Sequence, residues 1–112
     1  MKVAIIGSRG FDDYNLVIKT LAGLNISLII SGGANGADLL GEKYADEYSI
    51  PKQIFLPDWE KYGKSAGFIR NTDIVENAEL VIAFWDGVSS GTKDSIDKAK
   101  KFNKKLLIID FN

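Results

Sequence analysis

Three short loops hold most of the residues in this chain that could do chemistry. Gly7-Ser8-Arg9-Gly10 combines a hydroxyl with a guanidinium. Ser31-Gly32-Gly33-Ala34-Asn35-Gly36-Ala37-Asp38 combines three glycines with a carboxylate. Asp86-Gly87-Val88-Ser89-Ser90-Gly91-Thr92 gathers three hydroxyls. Each loop follows a short apolar run and leads into helical periodicity. A strand, a glycine loop and a helix in that order present backbone N–H groups to a phosphate, helped by the positive end of the helix dipole. Ser8 can donate to a phosphate and Arg9 can bind one with two parallel hydrogen bonds. The expected chemistry is therefore recognition of a phosphorylated ligand. Its candidate contacts are Gly7, Ser8, Arg9, Ser31, Gly32, Gly33, Ala34, Gly36, Ala37, Asp86, Ser89, Ser90, Gly91 and Thr92.

Five further positions add to this set. Asp38 falls in the first turn of a helix, where an acid suits the dipole, holds ribose hydroxyls or acts on a sugar. Asp58-Trp59 follows the third strand; Trp59 either stacks on a base or closes the rim of the core. Arg70 and Asn71 lie early in the third helix. Asn71 stands three residues before Ile74 and four before Val75, so it shares their inward face and must find polar partners there. The run Lys98, Lys100, Lys101, Lys104, Lys105 reads as a solvated helix face and tail.

Absent residue types narrow the chemistry. The chain has no His and no Cys. A Ser-His-Asp triad, a Cys-His pair, a His- or Cys-built zinc site and an iron–sulfur cluster are excluded. No metal site is assigned. Acid–base work falls to carboxylates, Lys or Tyr, with Asp38 and Asp94 as catalytic candidates beside the glycine loops. The first loop also departs from the G-x-G-x-x-G fingerprint, and Ser31 stands where that fingerprint wants an acid after strand two. This argues against ordinary NAD-dependent hydride transfer.

These residues need elements to hold them, and the chain supplies an alternation of strand and helix. Strands are expected at 2–6, 27–30, 52–56, 80–84 and 106–109. Helices are expected from Asp12 or Asp13 to Asn25, at 36–48, from Ser65 to 77, and at 92–103. Asn25 is read as a left-handed cap and 58–64 as a polar connection. In the first helix Tyr14, Val17, Ile18, Leu21 and Leu24 form one apolar stripe. In the second, Gly41 shares the face of Ala37, Leu40, Tyr44 and Tyr48, which predicts close helix–sheet packing. Strands two, four and five are nearly continuous in apolar residues, which implies burial on both faces and a parallel sheet between helix layers. The result is a single Rossmann-like α/β/α domain over 1–112, with a five-stranded, mainly parallel sheet in the order 3-2-1-4-5. The ligand crevice is expected at the carboxyl ends of strands one and four, where the strand order reverses.

With 112 residues, 46% hydrophobic, one domain and one core are expected. A net charge of −1 attracts neither nucleic acid nor anionic membrane. No apolar run approaches the roughly 20 residues of a membrane span. A cytoplasmic location is expected, and a homodimer or larger homo-oligomer is left open.

GSRGF, SGGANGAD, LPDW, AGFIRN and FWDGVSSGTKDSI, in that order, resemble the SLOG superfamily, in particular its branch related to YspA and YpsA. The resemblance covers essentially the whole chain. It implies a Rossmann-like fold and a nucleotide or nucleotide-derived ligand, such as ADP-ribose or an NAD-related molecule, at the glycine loops. The expected role is a sensor or ligand-binding module, with no certain cofactor. Two better-known relatives imply rival activities. LOG-type phosphoribohydrolases cleave the N-glycosidic bond of nucleoside monophosphates with an Arg-Lys pair and a PGGxGTxxE motif. Here Arg70 matches the arginine, Asn71 replaces the lysine, and Ser95 stands in place of the glutamate, with Asp94 one position away. The DNA-processing protein A family has similar motifs and binds single-stranded DNA, but this chain lacks its extra domains and positive charge.

Overall fold

The computed structural model describes residues 1–111. Five strands, β1 (Lys2–Gly7), β2 (Leu28–Ser31), β3 (Lys52–Ile54), β4 (Leu80–Trp85) and β5 (Lys105–Asp110), form one sheet in the order β3-β2-β1-β4-β5. All four pairings are parallel. Five helices, α1 (Tyr14–Leu21), α2 (Ala37–Glu47), α3 (Trp59–Tyr62), α4 (Ala66–Asn77) and α5 (Ser90–Lys101), connect them. This is the Rossmann-like arrangement anticipated from the apolar strands.

Alternation along each strand divides the core in two. Val3, Ile5, Ile29, Ile82 and Phe84 face α1 and α2, whose Val17, Leu21, Ala37, Tyr44 and Ala45 complete that layer. Ala4, Ile6, Ile30, Val81 and Ala83 face α4 and α5, through Ile74, Val75, Ile96 and Ala99. Phe11, at the end of the first loop, stacks on Phe84 with ring centroids 4.6 Å apart. Gly41 permits the closest approach of α2 to the sheet: a Cβ there would lie 2.6 Å from Ile5 Cβ.

Several local expectations are corrected. The 58–64 segment is not an unstructured connection. It forms α3, whose first turn is capped by Asp58 accepting from Lys61 N at 3.1 Å, followed by a 3-10 turn at Gly63–Ser65. Ser65 makes no capping hydrogen bond, because its backbone is already helical and continues that turn into α4. Asp13, not Asp12, caps α1 by accepting from Leu16 N at 3.1 Å. That helix stops before Asn25, and Gly23 takes the left-handed turn instead. β5 is not buried on both faces. It is an edge strand, and Leu107 lies 41% exposed on the α1/α2 side, beyond the cover of those helices.

Candidate functional site

A cleft of about 520 Å³ opens at the carboxyl ends of β1 and β4. Topology puts it there: α1 and α2 cover one face of the sheet and α4 and α5 the other, so the connections part between these strands. Its walls come from five segments. Gly7, Arg9 and Gly10 follow β1, Ala34 and Asp38 precede and open α2, and Trp59 and Lys64 flank α3. Gly67, Phe68, Arg70 and Asn71 come from α4, and Asp86, Ser89, Ser90, Gly91, Thr92 and Ser95 from the loop after β4 and α5.

The start of α5 leaves backbone amides open to the cleft. Asp86 closes the preceding loop: its Oδ1 accepts from Val88 N at 2.9 Å and Ser89 N at 2.8 Å. Those two amides hold its carboxyl below the usual carboxylate range. Ser89 is the N-cap residue, yet its side chain makes no capping bond to a helix amide; its hydroxyl lies 3.3 Å from that of Thr92. The first-turn amides of Ser90, Gly91 and Thr92 therefore have no hydrogen-bond partner among the described residues. Arg9, Lys64 and Arg70 line the same cleft and add positive charge.

The Gly32–Gly36 loop behaves differently. The Gly32, Gly33 and Ala34 amides turn inward. Asp38 Oδ2 accepts from Gly32 N at 2.8 Å and Ala34 N at 3.4 Å, and Ser31 Oγ accepts from Gly33 N at 3.3 Å. Ser31 is itself buried and donates to Glu42. The loop's own carboxylate thus occupies amides that were expected to hold a phosphate. Ser31, Gly32, Gly33, Gly36 and Ala37 do not line the cleft, and a Cβ on Gly33 would meet Leu56 Cδ2 at 2.7 Å. Ser8 does not line it either: its buried hydroxyl accepts from Asp86 N at 3.1 Å and ties the first loop to the third. Asp58 is occupied as the cap of α3.

Asp38 lines the cleft yet is 5% exposed. Burial pushes its carboxyl up from the ordinary 3.8 to about 6; Glu42 adds to the rise, while the two loop amides and Arg70 oppose it. A carboxyl that holds its proton more tightly when folded favours the folded state below pH 4. That contribution is withdrawn as pH rises through about 6. Asp38→Asn should gain on the wild-type protein by on the order of 3 kcal/mol between pH 4 and pH 7. Urea denaturation of both proteins across that range measures this, and parallel curves would show that the Asp38 carboxyl is not destabilised by burial.

Arg70 and Asn71 link the two sides of the cleft. Arg70 Nη1 donates to the Gly32 carbonyl at 2.6 Å, and Arg70 Nε donates to Asn71 Oδ1 at 3.0 Å. Asn71 Nδ2 donates to the Gly91 carbonyl at 3.3 Å and to Asp94 Oδ2 at 3.2 Å. Asn71 thus finds the polar partners that its inward position demanded. Asp94, a catalytic candidate from sequence, does not line the cleft; it pairs with Lys98 at 2.7 Å. Ser95, next to it, does line the cleft and is 2% exposed. Ser95 therefore presents a hydroxyl, not a carboxylate, at the cleft wall. Lys98 is not part of a solvated face, because it bridges Asp94 and the Phe68 carbonyl.

Sequence reading missed Gly10, Lys64, Gly67, Phe68 and Ser95 as cleft residues. Phe68 had a signal, since it stands three residues before Asn71 and so shares its face. Ser95 had the same relation to Thr92. Lys64 had none, because the turn that carries it was read as a loop. Trp59 and Phe68 are 57% and 50% exposed, so two aromatic faces border the cleft without closing a core. Among the described residues no three His, Cys, Asp or Glu side chains converge to hold a metal.

The family model described as the YspA, cpYpsA-related SLOG family matches residues 1–62. A phage protein is also similar: the Gene 61 protein of Mycobacterium phage D29 is 33% identical over an alignment of 111 residues, covering 89% of this chain and 89% of its own length. No solved structure matches.

Proposed function

The chain belongs to the YspA, cpYpsA-related SLOG family, and from that premise we propose that it is a ligand-binding module for a nucleotide-derived phosphate ester of the ADP-ribose or NAD type. The observation that carries the reading is the start of α5. Three first-turn amides without partners face a cleft that also holds Arg9, Lys64 and Arg70. Unpaired amides at the positive end of a twelve-residue helix favour an anion. Trp59 and Phe68 offer flat apolar faces to a base, and the Asp38 carboxylate offers an acceptor to a ribose hydroxyl. The phosphates are assigned to α5 and not to the Gly32–Gly36 loop, because the Gly32, Gly33 and Ala34 amides already serve Asp38 and Ser31 and Ala34 alone of that loop lines the cleft.

Two rival activities fit less well. The LOG-like reading needs a carboxylate beside the sugar to stabilise positive charge developing in the transition state. Ser95 supplies none, and Asp94 is held by Asn71 and Lys98 outside the cleft wall. Single-stranded DNA binding draws on excess positive charge, and the chain carries −1.

Thermal denaturation in the presence of ADP-ribose, NAD, AMP and ADP tests the reading. A ligand present at about 100 times its Kd should add roughly 2.7 kcal/mol and raise the midpoint by several degrees. AMP incubated with the protein should yield no free base by chromatography. Absence of a shift with all four ligands would overturn the binding reading. Base release faster than roughly 1 s⁻¹, within the ordinary enzyme range, would replace it with hydrolysis.

A further inference from the structure

Lys98 lies outside the cleft, yet it joins the two helices that build it. Its ammonium donates to Asp94 Oδ2 at 2.7 Å on its own helix and to the Phe68 carbonyl at 2.7 Å on α4. The same nitrogen lies 5.8 Å from the centre of the Phe68 ring. Asp94 in turn accepts from Asn71 Nδ2 at 3.2 Å, and Asn71 accepts from Arg70 Nε at 3.0 Å. One continuous polar chain therefore runs Lys98–Asp94–Asn71–Arg70 and ends on the Gly32 carbonyl. The side chains of Lys98 and Asp94 are only 20% and 24% exposed, so solvent screens this pair less than it screens the Lys93–Asp97 pair on the same helix, at 62% and 57%.

We propose that Lys98 is a positioning residue for the ligand cleft: without touching the ligand, it sets the placement of Phe68 directly, and of Asn71 and Arg70 through Asp94. This rests on the nucleotide-binding reading of the cleft. The physical basis is geometric. Phe68 is the third residue of α4, and its carbonyl accepts from Thr72 Oγ1 at 3.2 Å as well as from Lys98. The bond from Lys98 pins this turn of α4 to α5. On the other branch, Asn71 has one acceptor oxygen and one NH2 group. With Asp94 and Gly91 taking its N–H bonds, its oxygen must face Arg70 Nε, which fixes the guanidinium at the cleft wall. Groups that hold a ligand-contacting residue from behind, when removed, commonly lower affinity on the order of tenfold or more.

The test pairs binding with a readout that needs no ligand. Lys98→Met keeps the aliphatic stem and removes the charge. Lys98→Arg keeps a cation able to bridge a carbonyl and a carboxylate. ADP-ribose is titrated calorimetrically into each, and nitrogen–proton correlation spectra follow Arg70 Nε and Asn71 Nδ2 in the free protein. In Lys98→Met both resonances should move and affinity should fall about tenfold, while Lys98→Arg should restore both. Unchanged resonances, or unchanged affinity in Lys98→Met, would overturn the proposal. Asp94→Asn preserves the shape of the chain and serves as a second variant if Lys98→Met does not fold; an unmoved Asn71 signal there would overturn it equally. Failure of the wild-type protein to bind ADP-ribose counts against the nucleotide reading alone, because the spectra of the free protein still decide whether Lys98 positions Asn71 and Arg70.

Discussion

Gly91→Leu should leave the protein folded and at least as stable, while lowering affinity for ADP-ribose about a hundredfold, or roughly 3 kcal/mol. Gly91 is the second residue of α5, and a Cβ built there meets no atom within 4 Å. Nothing in the protein has to move to admit its Cβ. Leucine is also the better helix former, by close to 1 kcal/mol. Gly91 also lines the cleft, beside Ser90 and Thr92. An isobutyl group there covers the approach to the Ser90 and Thr92 amides and takes the volume that a phosphate needs. Calorimetric titration and urea denaturation of the same preparation separate the two effects. Unimpaired binding would place the ligand away from α5 and remove the main support for the anion site. Lost binding with lost stability would mean that the helix start was disturbed, not blocked.

The second large effect is on stability. Gly36→Val should cost roughly 4 kcal/mol, a large share of the 5–15 kcal/mol that holds a typical domain together. Gly36 has φ 83°, a left-handed conformation that a β-branched residue resists at a cost of about 1–2 kcal/mol. A Cβ at this position would also lie 2.6 Å from the Arg9 carbonyl oxygen and 2.7 Å from its carbon, and would overlap the Ser8 oxygen. These are backbone atoms and cannot rotate away. Ser8 N donates to the Phe84 carbonyl at 2.9 Å, and Ala37 N donates to the Ser8 carbonyl at 3.4 Å, so the first loop is fixed to both β4 and α2. Forced overpacking of this kind adds about 1–3 kcal/mol. Gly63→Val is the control: Gly63 has φ 57° but open space around its Cβ position, so only the conformational part should appear. Equal losses for the two variants, measured by urea denaturation, would show that the two loops do not press together at Gly36.

Much of the architecture was legible in the residues. Ile29, Ile30, Val81 and Phe84 lie in apolar runs too continuous for a strand with one wet face, and a buried parallel sheet is the physical answer to such runs. Right-handed crossovers then restrict the order of five strands sharply, and the expected 3-2-1-4-5 is the order observed. The inward position of Asn71 was readable from its spacing to Ile74 and Val75, and Asn71 is 7% exposed. Reading failed where chain ends or edges decide the matter. Leu107 is as apolar as any central strand residue, but exposure depends on whether a helix lies over it. Helix α3 is four residues long, too short for periodicity to register.

The sequence by itself determined that strand, glycine loop and helix recur, and that they meet at one edge of a parallel sheet. Only the tertiary structure decided which helix start presents open amides to the cleft. Locally, the Gly32–Gly36 and Gly87–Gly91 loops pose the same case, since both put bare backbone at a helix start. They part because of where folding places the neighbouring carboxylates and guanidinium. Asp38 reaches back six residues to take the Gly32 amide, and Arg70 crosses 38 positions to take the Gly32 carbonyl. At α5 the Asp86 carboxylate stops at Val88 and Ser89, one residue short of the helix, and leaves the next three amides open. A backbone amide binds whichever acceptor is nearest in space, and distance in space is set by packing, not by spacing along the chain.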